Sequence, residues 1–234
     1  MGAGLIGCEF ANDLAASGRS VTVIGPDKAP LGRLLPPQAG LSLQAGLVKA
    51  GIDWHLERLV ERIDRADRGL RLSLDSGLRI EADLVLSAVG LQPDTRLAAG
   101  AGLAVGRGIE VDRQLRTSAP DVYAIGDCAE VEGLVLPYVM PIMHAARALA
   151  RTLSGEATAL SYPAMPVVVK TPAHPVVVAP PAPGADGSWL EELVADGVRA
   201  RFVSGDGRLL GFALTGGAVA EKQALTKQLP PILS

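Results

Sequence analysis

The sequence predicts an α/β fold built on a parallel sheet, followed by a small α+β domain, and three observations carry that expectation. A glycine-rich turn, Gly2-Ala-Gly4-Leu-Ile-Gly7, opens directly onto an apolar helical stretch. Glycines and prolines then punctuate an alternating order of strands and helices as far as Gly90. Beyond about residue 160 a proline-rich segment with two valine triplets leads into short strand-like pieces.

In chain order, a helix is expected to about Ser17 and an apolar strand over Ser20–Ile24, which together make half of a βαβ unit. A second helix is expected over Pro37–Ala50. Pro36 and Pro37 suit its first turn, where a missing N–H costs nothing, and Gly51 suits its end. A strand over Ile52–Leu56 continues the parallel sheet. Leu70–Leu74 and Leu78–Glu81 alternate around Asp75-Ser-Gly77, which is hairpin chemistry. The mainly apolar run Ala82–Val89, ending at Gly90, reads as a buried central strand. From Gln92-Pro93-Asp94 the composition loosens through Gly108–Asp112 to Asp121–Asp127, which places a crossover near residue 97. A helix over Pro141–Leu153 precedes the proline-rich segment Tyr162–Pro183. The remainder breaks at Ala195-Asp-Gly197 and at Ser204-Gly-Asp-Gly207, and ends in a polar helix over Ala218–Gln228. The expected domains are therefore 1–96, 97–160 and 161–234.

Composition removes several classes of function. With 234 residues, 48% hydrophobic and 20% charged, the chain can bury a sizeable core. A net charge of -3 argues against an electrostatic nucleic-acid binder, which needs clustered Lys and Arg to neutralise phosphates. No apolar run is long enough to span a bilayer, and no basic stretch precedes an apolar one at the start. A soluble, cytoplasmic protein is expected. Cys8 and Cys128 form no local dithiol; a disulfide between them stays open, but two distant cytoplasmic thiols are usually reduced and buried. His55, His144 and His174 lack metal-ligand spacing, so no metal site is expected.

The turn at Gly2, Gly4 and Gly7 has the G-x-G-x-x-G spacing that permits a tight turn, close approach to a pyrophosphate and close helix packing. Its usual context includes a preceding strand, and only Met1 precedes it, so the chain is expected to begin inside a domain whose first strand is missing. The strand that follows should end in an acidic residue for an adenosine ribose. Gly25 holds that position; Asp27 reaches the ribose from the loop or is a solvated turn residue. No Arg occupies the loop beside Asp27, and Arg33 is the first candidate for a 2′-phosphate, so NADH is expected over NADPH.

Three ordered stretches now carry a resemblance: Gly2-Ala-Gly-Leu-Ile-Gly-Cys-Glu-Phe10, Ser87-Ala-Val-Gly90-Leu-Gln-Pro93 and Val122-Tyr-Ala-Ile-Gly126-Asp127-Cys-Ala129. In order and spacing the chain resembles the pyridine-nucleotide flavoprotein oxidoreductases, which have two dinucleotide folds. The resemblance implies an NAD-binding domain over 1–96 inserted into an FAD-binding domain, of which 97–160 would be the C-terminal part. It implies FAD and NAD as cofactors, Asp127 as a partner of the flavin ribityl chain beside the turn at Gly126, and Glu9 near the nicotinamide. A turn cap is the other reading of Asp127. The tail, Met165–Pro172 and Trp189–Pro230, is similar to the C-terminal domain of bacterial rubredoxin reductases. There Lys170 would lie by the flavin and stabilise its anionic reduced form, or it is a surface lysine at a strand end.

Two classes of function follow. As an enzyme, the resembled full-length protein passes electrons from NADH through FAD to rubredoxin or a similar small acidic iron protein. A same-family reductase of another acceptor, such as a flavorubredoxin or ferredoxin, is the alternative. Disulfide reduction is disfavoured, because the tail lacks the C-terminal histidine motif of those enzymes. Lys222, Lys227, Arg201 and Arg208 could serve an acidic partner or form a solvated face. The rival class is a non-catalytic, truncated nucleotide-binding module, and in either case the isolated chain is expected to be inactive.

Overall fold

The computed structural model describes residues 1–234, which divide into two compact units: Met1–Gly90 with Pro166–Leu229, and Leu91–Met165 with Pro230–Ser234. No helix is long and apolar enough to cross a membrane.

The first unit opens with helix α1 (Leu5–Ala16), strand β1 (Val21–Gly25), helix α2 (Pro37–Lys49) and strand β2 (Ile52–Leu56). β1 and β2 pair in parallel, from Val21 opposite Ile52 to Gly25 opposite Leu56, as a helical crossover between them requires. An antiparallel meander follows: β3 (Val60–Arg65), β4 (Leu70–Leu74) and β5 (Arg79–Ala82). The hairpin sits where its turn residues put it. β3 went unread because Glu61, Arg62, Asp64 and Arg65 mask the few apolar positions it has.

The run after β5 departs from expectation. Residues 83–89 form no strand, and Leu84 and Val89 are 78% and 75% exposed instead of buried. The Met1 amino group donates to the Leu86 carbonyl (2.7 Å), and Ala88 N donates to the Met1 carbonyl (2.8 Å). On the other side, Gly2 N donates to the Ile24 carbonyl (2.8 Å). Met1 and Gly2 thus stand between β1 and this run. Apolar composition marks a strand that could be buried, but burial needs a neighbour on each side.

The second unit contains helix α3 (Arg96–Gly100), the parallel pair β6 (Ile109–Val111) and β7 (Ala129–Val131), and helix α4 (Val139–Leu153). Its core gathers Leu115, Val131, Ala145, Leu160, Tyr162 and Leu233. The tail enters this unit through paired backbone bonds: Tyr162 N donates to Leu233 O (2.7 Å) and Ile232 N donates to Tyr162 O (2.9 Å).

Residues 166–229 return to the first unit as an antiparallel sheet of β8 (Val167–Val169), β9 (Val176–Ala179), β10 (Ser188–Val194), β11 (Gly197–Val203) and β12 (Leu209–Thr215), in the order β10-β11-β12-β9-β8. Side chains alternate between the faces of the central strands. Val176, Val178, Val198, Ala200 and Ala213 pack into one cluster with Leu43 and Leu47 of α2. Val177, Ala179, Phe212 and Leu214 pack with Ala218 and Leu225. The expected polar helix is a 3-10 turn over Gly216–Glu221 running into the short α5 (Lys222–Thr226). The segment that reads as a separate domain from about residue 161 therefore shares its core with α2, because Val169 of β8 and Val176 and Val178 of β9, from its two valine triplets, pack into the cluster with Leu43 and Leu47.

Candidate functional site

The glycine turn is shaped by close contacts. Gly2 has φ +100°, and a Cβ there would lie 2.3 Å from the Ala88 carbonyl oxygen; one on Gly7 would lie 1.9 Å from the Gly2 carbonyl oxygen. Gly4 differs: it is exposed and N-caps α1, no side chain caps that helix, and a Cβ on Gly4 would meet nothing within 4 Å. The first N–H groups of α1 thus face open space at the positive end of a 12-residue helix, which suits a pyrophosphate. The end of β1 packs onto this turn, since a Cβ on Gly25 would fall 2.8 Å from Ala3 Cβ. An acidic side chain has no room at that position. Asp27, two residues on, is half-buried beside Gly32, and its carboxylate makes no hydrogen bond within the chain.

Two more of the expected residues meet in the first unit. Glu9 Oε1 accepts a hydrogen bond from Lys170 N at 2.9 Å. The contact is with the backbone of Lys170, whose side chain is exposed and forms no ion pair. One turn further along α1, Asn12 Oδ1 accepts from Ala173 N at 3.1 Å. Sequence reasoning passed over Asn12; the signal was a polar residue three positions after Glu9 on an otherwise apolar helix face. Gly90, with φ +117° and open space where a Cβ would point, closes this part of the unit.

Gly126 and Asp127 belong to the second unit. Gly126 has φ +84° and its carbonyl accepts from Ala129 N at 3.1 Å. Asp127 is exposed on that turn, and its carboxylate bonds to no backbone N–H, so it is not a turn cap. It stands free to accept from a donor outside the chain, such as a hydroxyl.

Both cysteines are free thiols. Burial holds the Cys8 thiol protonated, pushing its pKa up to about 12, with Glu9 adding to the effect. Cys128, expected to be buried, is only half so, because it follows the exposed turn at Asp127. Arg201, Arg208 and Lys227 are exposed and without ion pairs, whereas Lys222 is half-buried.

His174 has a structural task. Val198 N donates to Thr215 Oγ1 (2.9 Å), Thr215 Oγ1 is 2.9 Å from Ser42 Oγ, and Ser42 Oγ is 2.9 Å from His174 Nε2. Because Thr215 accepts from an amide, its hydroxyl is free to donate to Ser42, and that of Ser42 to a neutral imidazole. The chain of bonds ties α2 to the five-stranded sheet. Burial lowers the His174 pKa; Asp196 opposes this and Lys49 adds to it. A folded-state pKa below that of the unfolded chain means that the unfolded state binds more protons as pH falls. Stability is therefore expected to be full above about pH 6.5, the ordinary histidine value, and to fall as pH drops below it. Tm measured against pH checks this, and His174→Gln is expected to flatten the acid side of the curve while costing ~1 kcal/mol at neutral pH. An equally steep acid limb in the variant would assign the pH dependence to other groups.

The model of the pyridine nucleotide-disulphide oxidoreductases matches residues 1–151, which contain the turn at Gly2–Gly7 and the Gly126-Asp127 pair. The chain belongs to the pyridine nucleotide-disulphide oxidoreductase family. A second model, the rubredoxin binding C-terminal domain, matches residues 159–229. Over all 234 residues the chain is 52% identical to a rubredoxin-NAD(+) reductase of Alcanivorax borkumensis, covering 61% of that protein. It is 42% identical over 229 residues, 98% of its length, to a nitric oxide reductase FlRd-NAD(+) reductase of Salmonella gallinarum, again covering 61%. The chain thus spans about 60% of the length of these curated relatives. Among solved structures, a ferredoxin reductase from Rhodopseudomonas palustris is similar at TM-score 0.84 and 26% identity, with 98% of this chain and 59% of that one aligned.

Proposed function

We propose that this chain supplies the NAD-binding domain (1–96), the C-terminal part of the FAD-binding domain (97–160) and the small C-terminal domain (161–234) of an NADH-dependent reductase of rubredoxin. What carries the reading is the identity of 52% along the whole chain to a protein named rubredoxin-NAD(+) reductase, joined with a C-terminal match to a rubredoxin-binding domain. The open helix N-terminus at Gly4 supports a dinucleotide pyrophosphate there, and the unpartnered carboxylate of Asp127 supports a hydroxyl-bearing ligand such as the FAD ribityl chain. When bound, the flavin supplies the conversion of a two-electron donor into a one-electron donor.

In this reading Gly2, Gly4 and Gly7 hold the NAD pyrophosphate, and Asp27 accepts from the adenosine ribose. Gly90 gives the backbone room for the nucleotide, and Gly126 turns the chain so that Asp127 meets the FAD. Glu9 and Lys170 stand by the reacting rings, with Lys170 placing a positive charge near the flavin. The free thiols Cys8 and Cys128 fit a reducing, cytoplasmic compartment. The relative named for FlRd favours a second acceptor, a flavorubredoxin, on the same scaffold.

The test uses a reductase of the relatives' full length that carries this sequence. It is expected to reduce rubredoxin with NADH, and to show kcat/KM at least about tenfold lower with NADPH, since Asp27 repels a 2′-phosphate. A preference for NADPH would remove the ribose role of Asp27. Turnover of flavorubredoxin with none of rubredoxin would replace the proposed acceptor.

A further inference from the structure

We propose that Asn12 is the positioning residue for Lys170: from a buried face of α1 it fixes the loop 170–174, and with Glu9 it sets where Lys170 is presented. The use made of Lys170 rests on the functional reading above, whereas the holding of the loop is a matter of this chain's own geometry.

The loop joins β8 to β9, so its amides have no ladder partners and must be satisfied elsewhere. Two of its N–H groups are satisfied locally: Thr171 N donates to Val169 O, and His174 N to Thr171 O, both at 2.9 Å. Pro172 has none. The other two, on Lys170 and Ala173, go to α1 side chains, Glu9 Oε1 and Asn12 Oδ1. Residues three apart share a helix face, so the two acceptors grip the two ends of the loop from one side.

Asn12 is 4% exposed, and asparagine is a poorer helix former than alanine. A buried amide in such a place is costly unless both of its ends are used. Both are: Nδ2 donates to Asp13 Oδ1 at 3.3 Å, which orients the amide so that its oxygen points at the loop. Thr171, 1% exposed, anchors the middle of the loop by donating from Oγ1 to His174 O at 2.8 Å. The backbone is thereby fixed while the Lys170 side chain stays exposed. The helix that does this begins at the glycine turn, so the proposed pyrophosphate site and Lys170 are placed by one rigid element.

Amide hydrogen exchange on the 234-residue chain tests the holding. Asn12→Ala is expected to speed exchange at Ala173 and Lys170 by at least about tenfold, with the amides of β1 and β2 unchanged. Asn12→Asp keeps an acceptor oxygen but loses the donor to Asp13 Oδ1 and sets two carboxylates side by side, so it is expected to speed exchange at Ala173 as the alanine variant does. In the full-length reductase, Asn12→Ala is expected to lower kcat for the acceptor severalfold while leaving the KM for NADH in place. If Ala173 exchanges at its wild-type rate in Asn12→Ala, or if Asn12→Asp keeps wild-type protection, the oriented amide of Asn12 does not position the loop. Lys170→Met separates the two layers: should the loop amides respond to Asn12→Ala while Lys170→Met leaves acceptor turnover unchanged, the positioning stands and the assigned use of Lys170 falls.

Discussion

After incubation with excess FAD and desalting, the 234-residue chain is expected to carry far less than one flavin per molecule and to show no NADH-driven reduction of rubredoxin. The expectation follows from phosphate chemistry. Each dinucleotide has a charged pyrophosphate that needs backbone N–H donors at a helix N-terminus, and the 234 residues contain a single glycine turn built for it, at Gly2–Gly7. In the proposed function that turn serves NAD. For FAD the chain offers the Gly126 turn and the Asp127 carboxylate, which is a contact to the sugar chain and not a cradle for phosphate. Without pyrophosphate contacts several hydrogen bonds of about 1 kcal/mol or more are absent, and each ~1.4 kcal/mol is tenfold in affinity. Binding is thus expected to be weaker than that of a complete site by orders of magnitude, and to be lost on the column. Flavin absorbance near one equivalent after desalting would contradict this.

The second large effect separates two glycines of the same turn. Gly7→Ala is expected to lower the Tm by several degrees and to abolish NADH binding in the full-length reductase. The added methyl would gain up to about 1 kcal/mol in helix propensity, but it would sit 1.9 Å from the Gly2 carbonyl oxygen. Backbone cannot yield as a flexible side chain would, so overpacking of ~1–3 kcal/mol or more outweighs the gain. Gly4→Ala is expected to leave the Tm within about a degree, because its methyl meets nothing within 4 Å. That methyl instead occupies the space in front of the uncapped helix end, where the pyrophosphate is proposed to lie. NADH affinity is therefore expected to fall about tenfold or more with the fold intact. Thermal unfolding alongside an NADH titration reads both, and equal behaviour of the two variants would show that the open space at Gly4 is not the binding slot.

Much of the fold was legible in the sequence because local chemistry sets it. Pro37 and Gly51 bound α2, Asp75-Ser-Gly77 turns the β4–β5 hairpin, and the spacing of Gly2, Gly4 and Gly7 marks a turn onto a helix. Each of these depends on the conformational range of single residues or on short-range steric fit, and so needs no knowledge of distant parts of the chain. Family membership was legible for the same reason: its signatures are turns.

What the sequence left undecided depends on neighbours brought from far along the chain. The apolar run Ala82–Val89 has the composition of a buried strand, yet Leu84 and Val89 lie exposed, because burial is a property of what stands alongside and not of the run itself. Residues 161–234 read as a domain apart, but one face of β9 packs in one cluster with Leu43 and Leu47, a pairing that no local pattern records. At the candidate site the sequence supplied Glu9 and Lys170 as separate expectations. Only the tertiary structure joined them, through the backbone of Lys170, and added Asn12 beside Glu9, since a hydrogen bond spanning 161 positions depends on how α1 meets the loop between β8 and β9. Turn chemistry and periodicity were thus set by the residues themselves, whereas burial, pairing and the holding of Lys170 were set by packing, because those energies belong to contacts between segments and not to either segment alone.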